Sequence, residues 1–133
     1  MKYRQCVPVI ATADVGATMS YYATVLGFSE LFSYGSPLVY AGMQRDGVQL
    51  YISQDVEFAD VIAQRDLHPE IFLWVEDVDA WFAEHQSSGA KIVEEISDRQ
   101  WDARQYVVED PNGYFIKVAQ PVDELESGAN LKG

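Results

Sequence analysis

The sequence predicts an α+β fold in which one βαβββ module is used twice, and three observations carry that expectation. Two helix starts repeat: Asp14-Val15-Gly16-Ala17 and Asp77-Val78-Asp79-Ala80 each place a carboxylate at an N-cap ahead of an apolar residue. Two hairpin signals repeat, Asp46-Gly47 and Asn112-Gly113, in which both central residues must accept positive φ. Each helix start follows an extended apolar segment, Tyr3 to Ala11 and then Pro69 to Val75. The modules therefore fall at about residues 3–53 and 70–120, together a single domain over 1–120.

The first helix follows Asp14, where Val15, Met19, Tyr22 and Leu26 recur at helical spacing and Gly27 marks the stop. Strands are expected over Leu38 to Gln44 and Val48 to Ile52, on either side of Asp46-Gly47. The linker Gln54 to His68 is polar and acidic, with a short helix around Phe58 to Gln64. In the second module Val78, Trp81, Phe82 and His85 share one helix face and Gly89 ends the run. Strands then flank Asn112-Gly113, at Arg104 to Val108 and Tyr114 to Val118. Residues 121–133 are short of apolar side chains and are expected to form a flexible C-terminal tail. Pro8 removes a backbone donor, so the first strand lies at a sheet edge or changes direction there. A module with one apolar face cannot enclose a core alone, so the two are expected to pair as curled mixed sheets around a groove.

Composition narrows the function. The chain has 133 residues, with 9 Lys and Arg against 21 Asp and Glu, a formal charge of -12. That balance disfavours nucleic acid and anionic membranes, whose phosphates need a basic face, and favours a cationic ligand. No apolar run reaches the ~20 residues of a membrane span. The N-terminus shows no long apolar stretch and Cys6 is the one cysteine, which points to a cytoplasmic protein. No Ser-His-Asp or Cys-His spacing and no glycine-rich phosphate loop is apparent, so no catalytic residue is assigned. Cys6 reads as a small strand hydrophobe, His68 as a solvated loop residue and His85 as a half-buried packing residue.

Over about residues 5–120 the chain resembles the glyoxalase / bleomycin resistance / extradiol dioxygenase superfamily, the vicinal oxygen chelate proteins. The resemblance rests on Val9-Ile10-Ala11-Thr12-Ala13-Asp14, on Tyr21-Tyr22 followed by Val25-Leu26-Gly27-Phe28, on Val75-Glu76-Asp77-Val78-Asp79-Ala80 and on Asp110-Pro111-Asn112-Gly113, in that order. Three further segments look most like the bleomycin-binding resistance proteins: Val7-Pro8-Val9-Ile10, Val48-Gln49-Leu50-Tyr51-Ile52-Ser53 and Gln100-Trp101-Asp102-Ala103-Arg104-Gln105-Tyr106. The resemblance implies paired βαβββ modules, a homodimer with an N-terminal arm reaching the partner subunit, and a ligand groove.

It also implies four metal-ligand positions: one on the first strand of each module, seven residues before the capping Asp, and one on each last strand, four after the turn Gly. Here they are Val7, Glu70, Tyr51 and Lys117. That set offers one carboxylate and an ammonium, against the three or more His or carboxylate donors a divalent ion needs. No metal ligand and no cofactor are therefore assigned, and Glu70 with Lys117 reads as an ion pair across two strands, or Glu70 as a plain surface acid.

A cup without metal binds. Phe32, Tyr34, Tyr40, Tyr51, Trp74, Trp101 and Tyr106 fall on expected strands or their ends, and such rings stack on planar ligands. The alternative is a plain core, to which Trp74, Phe82, Phe28 and Phe115 are the leading candidates. Trp101 lies in a polar stretch, a poor place for a core residue. The resemblance implies that it stacks on the drug, although relatives carry Pro before it and Gly after it where this chain has Gln100 and Asp102. Glu57, Asp60, Asp98, Asp102 and Glu109 are candidates for a negative field over the groove. The expected ligand-binding set is thus Trp101, Phe32, Tyr34, Tyr40, Tyr51, Glu70, Trp74, Tyr106 and Lys117. The expected function is sequestration of a planar, aromatic or cationic small molecule, such as a glycopeptide-type antibiotic. The rival expectations are a metal-dependent lyase, isomerase or dioxygenase of the superfamily, and a regulatory or immunity partner that binds protein.

Overall fold

The computed structural model describes residues 1–126. They form two compact units that divide between Leu67 and His68. The first unit contains β1 (Val9–Thr12), α1 (Val15–Thr24), β2 (Ser29–Tyr34), β3 (Tyr40–Arg45), β4 (Val48–Gln54) and α2 (Val56–Gln64). The second contains β5 (Glu70–Trp74), α3 (Val78–Ser87), β6 (Lys91–Asp98), β7 (Ala103–Glu109), β8 (Phe115–Pro121) and α4 (Val122–Glu126). Each unit has one four-stranded mixed sheet, in the orders β1-β4-β3-β2 and β5-β8-β7-β6. The first strand of each runs parallel to the last, and the other neighbours are antiparallel. The repeat expected from the sequence is therefore a repeat of topology.

Local chemistry explains the element ends. Asp14 Oδ1 accepts the Ala17 N–H at 3.0 Å and Asp77 Oδ1 the Ala80 N–H at 3.4 Å, as N-caps do. Asp55 caps α2 in the same way, through the Phe58 N–H at 3.0 Å. Asp46 (φ 52) and Gly47 (φ 82) make a two-residue turn with Arg45 opposite Val48. The second hairpin is built differently. Only Gly113 takes a positive φ among its turn residues. The buried Asp110 carboxylate instead accepts the Asn112 and Tyr114 N–H groups at 2.8 and 2.9 Å, in a wider loop between Glu109 and Phe115.

Each sheet buries one face under its helix. In the first unit α1 packs on β2, β3 and β4, where Ala41, Met43, Leu50 and Ile52 are buried with Val15 and Tyr22, while α2, with Ile62 buried, packs on β1, where Ile10 is buried. In the second, α3 lies over Tyr106, Val108, Ile116 and Val118. Gln120 is fully buried there and its Oε1 accepts the Val78 N–H at 3.0 Å, a second tie on the first turn of α3.

Several expectations need correction. The first strand begins at Val9 rather than Tyr3, because Pro8 has no N–H to extend the ladder; its carbonyl still accepts from Tyr51 N at 3.0 Å, and β1 is an edge strand. Cys6 is exposed and outside any strand. His68 is no solvated loop residue: its ring stacks on Phe115 at 4.1 Å and 9°, with Nδ1 2.9 Å from the Gly113 carbonyl. Residues 121–126 belong to β8 and α4, so the expected tail is folded that far, and 127–133 lie outside the described residues.

Candidate functional site

Paired strand residues share a sheet face, and successive residues alternate between faces. Register therefore shows what each sheet presents on the side opposite its helix. In the first unit Gly42 pairs with Phe32 and with Tyr51, and Tyr40 pairs with Tyr34. Phe32, Tyr34, Tyr40 and Tyr51 consequently share this open face. Three of them touch: Phe32 stacks on Tyr40 (5.9 Å, 23°) and meets Tyr51 edge-on (5.4 Å, 72°), while Tyr40 and Tyr51 are 6.0 Å apart at 62°. The cluster exists because residue 42 is glycine. A Cβ there would overlap the Phe32 ring, which lies on the bare backbone. Tyr34 stands exposed beside the cluster.

In the second unit, Glu70, Phe72 and Trp74 alternate onto the open face of β5, with Phe72 and Trp74 rings 4.7 Å apart. Trp74 is 60% exposed, which corrects its alternative assignment to the core; Phe28 is buried as that assignment expects, while Phe82 and Phe115 are half-buried. Lys117 reaches Glu70 with Nζ to Oε2 at 2.9 Å. Two more pairs belong to this sheet: Lys91–Glu109 at 3.0 Å and Arg99–Glu94 at 3.0 Å. Asp98 is engaged by Arg104, which also holds Asp79. Thus Asp98 and Glu109, two of the acids expected to provide a negative field, each have a cation beside them.

Trp101 projects from the turn that joins β6 to β7 and is 62% exposed. The turn closes with Asp102 N–H to the Arg99 carbonyl at 3.1 Å and Arg99 N–H to the Ala103 carbonyl at 2.7 Å. Asp102 has φ 63, the left-handed region that glycine enters most readily and aspartate tolerates. The replacement of the relatives' Gly is thereby accommodated. The Trp101 indole N–H donates to Gln105 Oε1 at 3.2 Å.

Tyr106 does not belong to this set. It is 0% exposed and faces α3, with its ring 4.9 Å from Phe82 and its hydroxyl 2.7 Å from His85 Nδ1. Arg104, Tyr106 and Val108 occupy the helix side of β7, whereas Gln105 and Val107 occupy the other. His85 is buried as a packing residue, more deeply than expected. Two open-face residues, Phe72 and Gln105, were missed. Alternation with Glu70 and Trp74 was the available signal for Phe72; a lone amide in the run Gln105-Tyr106-Val107-Val108 was the signal for Gln105.

The four implied metal positions do not fit a divalent ion. In the second unit the Glu70 carboxylate is held by an ammonium, and in the first the positions are Val7 and Tyr51. No group of three or more His, Cys, Asp or Glu suited to a metal occurs among the described residues. The stability losses of Glu70→Gln and Lys117→Met, summed as single variants, should exceed the loss of the double variant by about 0.5 kcal/mol. Strictly additive urea-denaturation free energies would remove that coupling.

Comparison with known proteins follows the same lines. Residues 5–118 match the family described as the Glyoxalase/Bleomycin resistance protein/Dioxygenase superfamily. Uncharacterized protein Rv0887c of Mycobacterium tuberculosis is 26% identical over 142 residues, covering 95% of this chain and 82% of its own length. The crystal structure of TioX from Micromonospora sp. ML1 superposes with a TM-score of 0.75 at 24% identity, covering 90% of this chain and 99% of that one. The bleomycin-binding protein from bleomycin-producing Streptomyces verticillus, solved with copper(II)-bleomycin, superposes with a TM-score of 0.72 at 24% identity, covering 89% and 96%. At these identities the two structures establish the fold.

Proposed function

Because this chain belongs to the glyoxalase/bleomycin resistance protein/dioxygenase superfamily, we propose that it is a binding protein without catalytic activity that sequesters a planar aromatic small molecule, acting as a homodimer. The observation that carries the proposal is the concentration of aromatic rings on the sheet faces opposite α1 and α3, with Trp101 on the turn between β6 and β7. The first unit offers Phe32, Tyr40 and Tyr51 with Tyr34 beside them; the second offers Trp101, Phe72 and Trp74. Exposed aromatic surface of this kind is costly in water and is commonly a recognition surface. Each ring contributes stacking and dispersion without needing a charge on the ligand.

The Glu70–Lys117 pair supports a passive role, because it spends the one carboxylate that chelation would use. The ion pairs of the second sheet also argue that shape, more than charge, selects the ligand. Affinity should therefore change little with added salt, unlike the steep screening expected of a charge-driven complex. A bleomycin-type antibiotic is the ligand class that the bleomycin-binding relative suggests.

The test is a titration of the full chain with metal-free bleomycin and with other planar aromatics, following Trp fluorescence, alongside elemental analysis of protein purified without chelator. Saturable quenching with no stoichiometric metal is expected. Stoichiometric Ni, Zn, Mn or Fe together with turnover would replace this proposal by the superfamily's enzymatic chemistry. A monomeric mass at micromolar concentration would remove the homodimer.

A further inference from the structure

We propose that Gln105 is the positioning residue that holds Trp101 in its ligand-ready orientation. The inference rests on the proposed stacking role of Trp101 and extends it to a residue that touches no ligand. Trp101 is 62% exposed, and an exposed indole on a turn has several rotamers open to it. Binding would have to select one of them, which weakens the complex. Here one rotamer is already selected. The indole N–H donates to Gln105 Oε1 at 3.2 Å, and Gln105 is 2% exposed.

The anchor point is rigid. Gln105 sits on β7, which is hydrogen-bonded to a strand on each side, opposite Ser97 on β6 and Ala119 on β8. The turn that carries Trp101 is fixed independently. Its two backbone hydrogen bonds join Arg99 to Asp102 and to Ala103, and the Arg99 guanidinium donates to Ser97 Oγ at 2.7 Å and Glu94 Oε1 at 3.0 Å. Backbone closure sets where the Trp101 Cα lies, and the Gln105 amide sets where the ring points. A buried amide between the ion-paired Arg104 and the buried Tyr106-Val107-Val108 is poorly suited to pure packing, since its polar atoms require partners. Holding an indole N–H is a use for it.

The hydrogen bond can be followed directly in the ligand-free protein. The Trp101 indole N–H signal in a 1H–15N spectrum is identified by its loss in Trp101→Phe. In Gln105→Met, which keeps the length and removes the acceptor, that signal should shift and exchange with water about threefold faster or more, while the Trp74 and Trp81 signals stay in place. Affinity for metal-free bleomycin or phenanthridine, whichever binds the wild type, should fall about three- to tenfold, the range expected for losing one neutral hydrogen bond and re-imposing rotamer ordering. Gln105→Glu retains an acceptor and should recover most of the loss.

A merely structural role is separated by background. In Trp101→Phe there is no N–H to hold, so adding Gln105→Met should leave affinity unchanged within about twofold; an equal loss in both backgrounds overturns the proposal. So does an unchanged indole exchange rate in Gln105→Met. Should Gln105→Met fail to fold, the comparison of wild type with Trp101→Phe decides: equal affinity for the two overturns it, since the ring then needs no tether. If Trp101→Ala binds both probes as the wild type does, or neither probe binds the wild type, the stacking role itself fails and this proposal with it, even where the indole proves anchored.

Discussion

Replacing Trp101 with alanine is expected to weaken binding of a planar aromatic ligand by about five- to a hundredfold while leaving the melting temperature within about 2 °C of the wild type. The affinity figure follows from stacking energies of ~1–3 kcal/mol per ring, at 1.4 kcal/mol per tenfold. The stability figure follows from position. The side chain is 62% exposed on a turn whose closure is backbone hydrogen bonding, so truncation opens no cavity. Surface changes of this type usually fall within about 0.5 kcal/mol. Parallel fluorescence titration and thermal melts check both halves. Unchanged affinity would take Trp101 out of the site. A fall in melting temperature of 8 °C or more would mean that the ring supports the fold.

Much of the architecture was legible because it depends on local chemistry that repeats. Asp14 and Asp77 announce their helices through one mechanism, a carboxylate meeting an N–H three residues on, and both are found doing so. Asp46-Gly47 specifies a two-residue turn by its need for positive φ, and the turn forms. Asn112-Gly113 reads the same way but folds otherwise, because Asp110 is placed to satisfy the loop's N–H groups and a wider turn becomes the better solution. That competition depends on a side chain outside the dipeptide, which the dipeptide alone cannot report.

The site was legible in residue types and less so in facing. Phe32, Tyr40 and Tyr51 could be named as strand aromatics, yet their contact depends on Gly42 lying beneath Phe32, a cross-strand fact fixed by register. Glu70 and Lys117 were readable as a pair because the resemblance implies two positions in the module, counted from the capping Asp77 and the turn Gly113, and these two positions carry opposite charges. Trp74 illustrates the opposite difficulty. A large apolar ring in Glu70-Ile71-Phe72-Leu73-Trp74 invites assignment to the core, but the period of two puts Ile71 inside and Trp74 outside. On β7 the alternation is masked, since Tyr106, Val107 and Val108 are all buried and only α3 distinguishes the two faces.

Tyr106 is where that masking has its largest consequence. Nominated from sequence beside Trp101, it lies on the other side of the sheet, fully buried against Phe82 and His85. Tyr106→Ala is therefore expected to cost about 3–5 kcal/mol of stability, through lost burial and the cavity left under α3. In a chain of this size that lowers the melting temperature by roughly 10–20 °C. Tyr106→Phe removes only the hydroxyl 2.7 Å from His85 Nδ1 and should cost about 1–2 kcal/mol. The phenol also has a signature in pH. Burial, with a smaller contribution from the Glu84 charge, holds its ionisation well above the ordinary phenol range. A folded-state pKa raised in this way contributes stability that is complete below the unfolded value of about 10 and is lost as pH climbs above it. The advantage of wild type over Tyr106→Phe in urea denaturation should accordingly hold steady from pH 7 to about 10 and shrink beyond it. An advantage undiminished at pH 11 would mean that the hydroxyl ionises freely in the folded protein, contrary to its place between α3 and β7.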